Sequence, residues 1–116
     1  MIDEGGPVVD EPVAGERSVR LAVRNPSGLH ARPAALFVRT AARFGSAIRL
    51  RNVSRGGAPA DAKSILALMT AGVSSGHEIE LTADGDDADA ALAALRELVE
   101  SGIGETLPGP PPGEAR

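Results

Sequence analysis

A histidine and an arginine stand two residues apart in the segment SGLHARPAALFV, which covers residues 27–38. The apolar residues that follow recur at helical spacing, and Pro33 suits the first turn of a helix, where its missing N–H costs nothing. That first turn presents unpaired N–H groups and the positive end of the helix dipole, which together bind anions such as phosphate. The imidazole of His30 is a nucleophile, and the guanidinium of Arg32 would hold phosphoryl oxygens. The pattern therefore predicts a phosphoryl site at a helix start.

The same spacing also fits a structural role for both residues. A histidine at a helix start is more often a cap or a surface residue, and an arginine there is more often solvated. Gly28 favours the chemical interpretation, because a glycine lets the backbone approach closely beside the imidazole. Spacing alone leaves both interpretations open.

Composition excludes several other kinds of chemistry. The chain has no cysteine, which excludes thiolate nucleophiles, disulfides and cysteine-based zinc sites. His30 and His77 lie far apart without a pattern of carboxylates, so no metal site and no cofactor are predicted. No nucleotide-binding loop of the G-x-x-x-x-G-K-[ST] kind is present and no pair of catalytic carboxylates stands out, which argues against a stand-alone enzyme.

Charge is distributed unevenly along the chain. Residues 17–63 are rich in arginine and contain Asp61 as their one acidic residue, whereas the later part of the chain is strongly acidic. This polarity suits a face for an acidic partner, although solvated arginines would produce the same pattern. Nucleic acid is not expected as a partner, because the net charge is −4 and aromatic residues make up only 2% of the chain.

Composition also divides the chain into three segments. Residues 1–15 are rich in glycine, proline and acidic residues and are expected to form a flexible arm, and residues 106–116 are expected to form a Pro/Gly-rich tail or linker. The folded domain is expected over residues 16–105. No apolar run is long enough for a membrane span and the acidic start does not resemble a signal peptide, so we expect a cytoplasmic protein without membrane insertion.

Hydrophobic patterns within the domain alternate between the periods of strands and helices. Pro59 restricts one short strand to a sheet edge, and Asp86 or Asp87 is expected to cap the last helix, which Gly102 ends. The order β-α-β-β-α-β-α predicts an α+β fold in which an antiparallel sheet has its helices on one face. The predicted strands cover 18–23, 46–53, 58–62 and 77–83, and the predicted helices cover 31–44, 63–73 and 86–102.

Three segments resemble one known family in sequence and in order. GLHARPAALFV resembles the active-site signature Gly-[Leu/Ile]-His-[Ala/Thr]-Arg-Pro-Ala of HPr, the histidine phosphocarrier of the bacterial phosphoenolpyruvate-dependent sugar phosphotransferase system, and matches it at every position. KSILALMTAGV, at 63–73, is similar to a second block of the family, and GHEIELTADGDD, at 76–87, to a third. The resemblance extends over about residues 16–105. It implies an open-faced β-sandwich with four antiparallel strands in the order 1-4-2-3 and three helices on one side.

The resemblance also assigns roles to individual residues. His30 would be phosphorylated at Nδ1, and Arg32 would stabilise the phosphoryl group. Ser27 stands where the family has a small polar residue beside the active-site turn. The remaining residues that would support the site are Gly28, Ala31 and Pro33.

Partners follow from the resemblance as well. The family docks on enzyme I and on enzyme IIA domains through an apolar patch ringed by basic charge, and we expect a monomer that makes no product on its own. Some residues that match this patch must instead belong to the core, and the sequence does not separate the two groups. The candidates for partner contact are Leu36, Phe37, Lys63, Ile65, Leu66 and Met69.

Ser64 matches a serine with two roles in the family. HPr kinase phosphorylates it in many Gram-positive relatives, and in others it caps a short helix. The alternative function is therefore a regulatory module that acts through serine phosphorylation and partner binding, although such paralogues lack the active histidine and His30 is present here.

The chain departs from a free-standing HPr in two respects. The loop over residues 51–62 is longer than usual, and both ends of the domain are extended. These features are common where HPr is one module of a larger protein, such as an enzyme I or enzyme IIA fusion or the phosphotransfer subunit of dihydroxyacetone kinase.

Overall fold

The computed structural model describes residues 16–107 of the chain. The expected arm at 1–15 and the tail from residue 108 onward lie outside the described residues. Within 16–107 the elements follow the predicted order β-α-β-β-α-β-α. They are β1 (Glu16–Ala22), α1 (Ala31–Ala41), β2 (Ala47–Asn52), β3 (Ala60–Asp61), α2 (Ile65–Thr70), β4 (Glu78–Asp84) and α3 (Ala88–Glu100).

The strands form one antiparallel sheet in the order β1-β4-β2-β3. Counted along the chain this is the order 1-4-2-3, so the predicted fold class and topology are confirmed. Leu81 of β4 lies opposite Val19 of β1 on one side and Leu50 of β2 on the other. The alternation of β4 therefore places one row of apolar side chains against the core.

The core lies between the sheet and the helices. α3 packs against β1 and β4, and α1 contacts both α2 and α3. Because Phe37 is the one aromatic residue in the core cluster, aliphatic side chains fill most of it. Its fully buried large members are Phe37, Leu29, Ile48, Leu50, Leu68, Ile79, Leu81, Leu95, Ile103, Val23, Val73 and Val99.

All three helices are shorter than their hydrophobic patterns predicted, α3 by two residues at each end. α1 ends at Ala41 rather than near Gly45, because the N–H groups of Arg43 and Phe44 donate to the carbonyls of Thr40 and Ala41, three residues back. Such tighter bonds close a helix end before the chain turns away. α2 begins only after its cap at Ser64 and ends before Gly72, whose φ of +67° suits the turn that follows.

Asp87 stands at the N-cap position of α3 but does not cap it with its side chain. Its carboxylate instead accepts hydrogen bonds from the N–H groups of Gly45, at 2.9 Å, and Ser46, at 3.0 Å, and from the Ser46 hydroxyl. We call this group of residues the Asp87 clamp. It ties the turn between α1 and β2 to the start of α3.

None of the helices within residues 16–107 combines the length and the apolar character that crossing a bilayer demands.

Candidate functional site

His30 occupies the N-cap position of α1, where φ is −111° and ψ is 155°. Its carbonyl accepts the N–H of Ala34 at 3.4 Å, and its exposed imidazole makes no capping hydrogen bond. His30 is therefore the N-cap residue of α1 by its backbone alone, and its side chain does not cap the helix. The ring is accessible to a partner at the position that sequence analysis predicted for the nucleophile.

The backbone after His30 creates an anion-binding helix start. Within residues 16–107, the N–H groups of Ala31 and Arg32 have no hydrogen-bond partner, and the first turn of α1 contains no acidic residue. Buried Pro33 has no N–H, so its place in this turn leaves no further donor unpaired. Free N–H groups, the helix dipole and the exposed Arg32 guanidinium together favour a negatively charged ligand.

Ala31 has a left-handed backbone with φ of +46°, although it carries a Cβ. A non-glycine residue in this region is held at a cost of about 1–3 kcal/mol by the structure around it. The residue next to the predicted nucleophile thus has a strained backbone. Neighbouring contacts must hold the turn before α1 in place.

The turn before α1 is fixed by close backbone contacts. The N–H of Gly28 donates to the Asn25 carbonyl at 3.1 Å, and the N–H of Leu29 donates to the Val73 carbonyl at 3.0 Å. Gly28 has φ of +58°, and a Cβ there would collide with the Val73 carbonyl oxygen. The residue is a glycine because the backbone of another loop lies against it.

A carboxylate that sequence analysis did not identify holds the same turn. Glu105 accepts hydrogen bonds from the N–H of Ser27 at 3.0 Å, its hydroxyl at 2.7 Å and the side-chain amide of Asn25 at 2.9 Å. We call these three residues the Glu105 clamp. The Asn25 amide also donates to the Gly28 carbonyl at 2.9 Å, which links the clamp to the turn.

The donors of the Glu105 clamp lower the pKa of the Glu105 carboxyl below its ordinary value. The Ser27 hydroxyl has the largest effect, followed by the Asn25 amide and the Ser27 N–H, while desolvation opposes them. The positive charge of Arg32 lowers the pKa further. The carboxylate therefore lies within the electrostatic field of the predicted phosphoryl-binding arginine.

The structure divides the predicted partner-contact residues into exposed and buried ones. Ile65, Leu66 and Met69 are 43%, 75% and 39% exposed, which is unusual for large apolar side chains. Leu36 is half-buried. Phe37 is completely buried in the core, so its prediction as a partner contact is wrong: it lies on the face of α1 that is turned into the core cluster.

The remaining polar candidates make hydrogen bonds within the fold. Half-buried Lys63 donates from Nζ to the Phe44 carbonyl at 2.7 Å. Ser64 is the N-cap of α2, and its Oγ accepts the N–H of Ala67 at 3.1 Å. His77 accepts the N–H of Ser74 at Nδ1, at 3.1 Å, as expected of a turn residue before a strand.

A family model described as the PTS HPr component phosphorylation site matches residues 17–101. The chain is 40% identical over 88 residues to the multiphosphoryl transfer protein of Salmonella typhimurium, which covers 76% of this chain and 23% of that protein. It is 43% identical over 81 residues to the phosphocarrier protein HPr of Streptomyces coelicolor, covering 70% of this chain and 84% of that protein. The crystal structure of an HPr from Thermoanaerobacter tengcongensis superimposes with a TM-score of 0.74 at 45% identity, covering 78% of this chain and 99% of that chain.

The chain spans about a quarter of the length of the multiphosphoryl transfer protein that it matches. This fits the prediction that such a domain is found as a module of larger proteins. The family match extends over most of the chain, and the solved HPr shares both its sequence and its fold. The chain therefore belongs to the HPr phosphocarrier family of the phosphotransferase system.

Proposed function

We propose that His30 accepts a phosphoryl group at Nδ1 from phospho-enzyme I and passes it to an enzyme IIA-type acceptor. The observation that carries this proposal is the exposed imidazole of His30, which has no capping bond and stands beside the two unpaired N–H groups of α1. The match of residues 17–101 to the HPr family supports the same role. On this proposal the protein is a cytoplasmic carrier that makes no product without its partners.

The transfer needs no separate base. The lone pair of Nδ1 on the neutral imidazole attacks phosphorus, while the bond between phosphorus and the donor atom breaks and its electron pair stays with the donor. Arg32 and the N–H groups at the start of α1 stabilise the charge on the phosphoryl oxygens. The second transfer repeats this exchange, with Nδ1 as the leaving atom.

The proposed docking surface consists of the exposed face of α2 together with exposed positive charge on α1. Ile65, Leu66 and Met69 supply apolar contact area, and exposed Arg39 in the last turn of α1 supplies positive charge. An acidic partner would be steered to this surface at a rate that falls as salt is added. We propose that enzyme I and the acceptor use this surface in turn, each with a monomer of this protein.

Incubation with enzyme I and phosphoenolpyruvate tests the proposed function. We expect one acid-labile phosphoryl group on the wild-type protein and none on His30→Ala, measured by intact-protein mass spectrometry. Arg32→Ala should fold and be phosphorylated more slowly, because the phosphoryl oxygens lose their counter-charge. Phosphorylation of His30→Ala, or an unmodified wild type with several different enzymes I, would contradict the proposal.

A further inference from the structure

The Glu105 carboxylate is delivered to the site by a defined turn after α3. Gly102, Ile103 and Gly104 have φ values of +99°, +49° and +78°, so three successive residues adopt a left-handed backbone. Ile103 is completely buried, and the N–H of Glu105 donates to the Gly102 carbonyl at 2.9 Å. The turn is therefore anchored in the core, and it places Glu105 beside a loop that lies 78 positions earlier in the chain.

The clamp has the chemistry of an occupied anion site. The carboxylate takes both donors of Ser27, the N–H and the hydroxyl, and a third from the buried Asn25 amide. Both acceptors of that amide, Glu105 and the Gly28 carbonyl, fix its orientation, and the Asn25 Oδ1 is left buried without a partner among residues 16–107. The Asn25 side chain is thus oriented so that its amide group donates two hydrogen bonds while its carbonyl oxygen is left unpaired.

A phosphoryl group on His30 would be a second anion at the same helix start. Arg32 already lowers the pKa of Glu105, so one guanidinium would serve two negative charges. The two like charges would repel each other, and salt would screen this repulsion only in part.

We propose that Glu105 is an internal anion that holds the Ser27 donors while His30 is unmodified and releases them when His30 carries a phosphoryl group. This inference rests on the proposed function of His30. The carboxylate acts as a positioning residue: it orders the turn before transfer and, by repulsion, makes the bound phosphoryl group easier to pass on.

The direct test is nuclear magnetic resonance on the wild-type chain, phosphorylated chemically with phosphoramidate. In that reaction ammonia leaves with the electrons of the P–N bond and the phosphoryl group joins His30, so no partner enzyme is needed. The scalar coupling across the hydrogen bond from the Ser27 amide to the Glu105 carboxyl carbon should be present before phosphorylation and absent after it. The matched control is the coupling from the Ser46 amide to Asp87, the same type of bond in the Asp87 clamp, which should persist.

A second measurement compares phosphoryl affinity between variants. When wild type and Glu105→Gln share phosphoryl groups through catalytic enzyme I, we expect Glu105→Gln to hold about threefold more at equilibrium, because a charge repulsion is removed. Glu97→Gln, which removes an exposed carboxylate on α3, should share equally with wild type.

A Ser27–Glu105 coupling that survives phosphorylation would overturn the inference, as would equal sharing between wild type and Glu105→Gln. If enzyme I does not phosphorylate His30 at all, the proposed function fails, and the coupling in the chemically phosphorylated protein still decides the role of Glu105.

Discussion

The Asp87 clamp and the Glu105 clamp use the same chemistry at opposite ends of α1. In each, one carboxylate accepts the N–H and the hydroxyl of a serine together with one further N–H donor. The serines differ in their surroundings: Ser46 is 2% exposed, whereas Ser27 is exposed beside His30. The comparison shows the same set of donors once around a buried serine and once around an exposed serine three positions before His30.

The largest expected effect is a loss of stability on substitution of the glycine in the turn before α1. Gly28→Ala should lower the free energy of unfolding by more than about 2 kcal/mol, because its φ is +58° and the new Cβ would meet the Val73 carbonyl. Gly45→Ala is the matched control, since its Cβ would meet nothing within 4 Å. That variant should be neutral or more stable by up to about 1 kcal/mol. Urea unfolding of both variants checks this, and equal stability would show that the site turn is not tightly held.

The next prediction compares the replacement of each clamp carboxylate by its amide. Asp87→Asn should lower the melting temperature and leave phosphorylation of His30 unchanged, because the Asp87 clamp holds a turn away from the site. Glu105→Gln should change the phosphoryl equilibrium with a smaller loss of melting temperature, since Ser27 is exposed and its donors can turn to water or to phosphoryl oxygens. Thermal unfolding and the sharing experiment measure the two effects. The reverse pattern would mean that the clamps have the opposite roles.

The candidate reacting residues are easier to predict from the sequence than the residues that hold their turn. His30 and Arg32 could be identified because they lie in one short segment whose local pattern starts a helix. Glu105 could not, because its bond to Ser27 joins residues 78 positions apart and exists only after α3 and the turn behind it have packed. Asp87 was placed at the start of α3, but its partners lie 41 and 42 positions earlier, so its carboxylate was assigned to the wrong bond.

Phe37 shows that the sequence alone also does not separate surface residues from core residues. Leu36 and Phe37 are neighbours in one apolar run, yet the first is half-buried and the second is completely buried. Which face of α1 turns inward depends on how the helix packs against α2 and α3. The order of the elements was predictable because each has its own hydrophobic period, which needs no knowledge of distant contacts.

The pH dependence of stability tests both clamps at once. The ordinary pKa values are 3.8 for Asp87 and 4.5 for Glu105, and hydrogen bonds lower both in the folded protein, chiefly those from the Ser46 and Ser27 hydroxyls. The stabilisation from each is complete above its ordinary pKa and is lost as pH falls through the lower folded value. We expect a falling melting temperature below about pH 4 and a shallower fall in the double variant D87N/E105Q. An equally steep fall in that variant would place the acid sensitivity elsewhere.

The smallest predicted effect concerns Ser64, a serine that stands outside both clamps. Its hydroxyl accepts one N–H, that of Ala67, so Ser64→Ala should lower the free energy of unfolding by about 1 kcal/mol, the usual loss for a missing helix cap. Ser64→Asp keeps a capping oxygen and adds a negative charge at the start of α2, so it should retain most of the stability. Its rate of phosphorylation by enzyme I should nevertheless fall, because the charge lies beside the exposed Ile65 and Leu66 of the docking surface. An unchanged rate in Ser64→Asp would show that the docking surface does not include the start of α2. Capping α2 would then be the remaining role of Ser64.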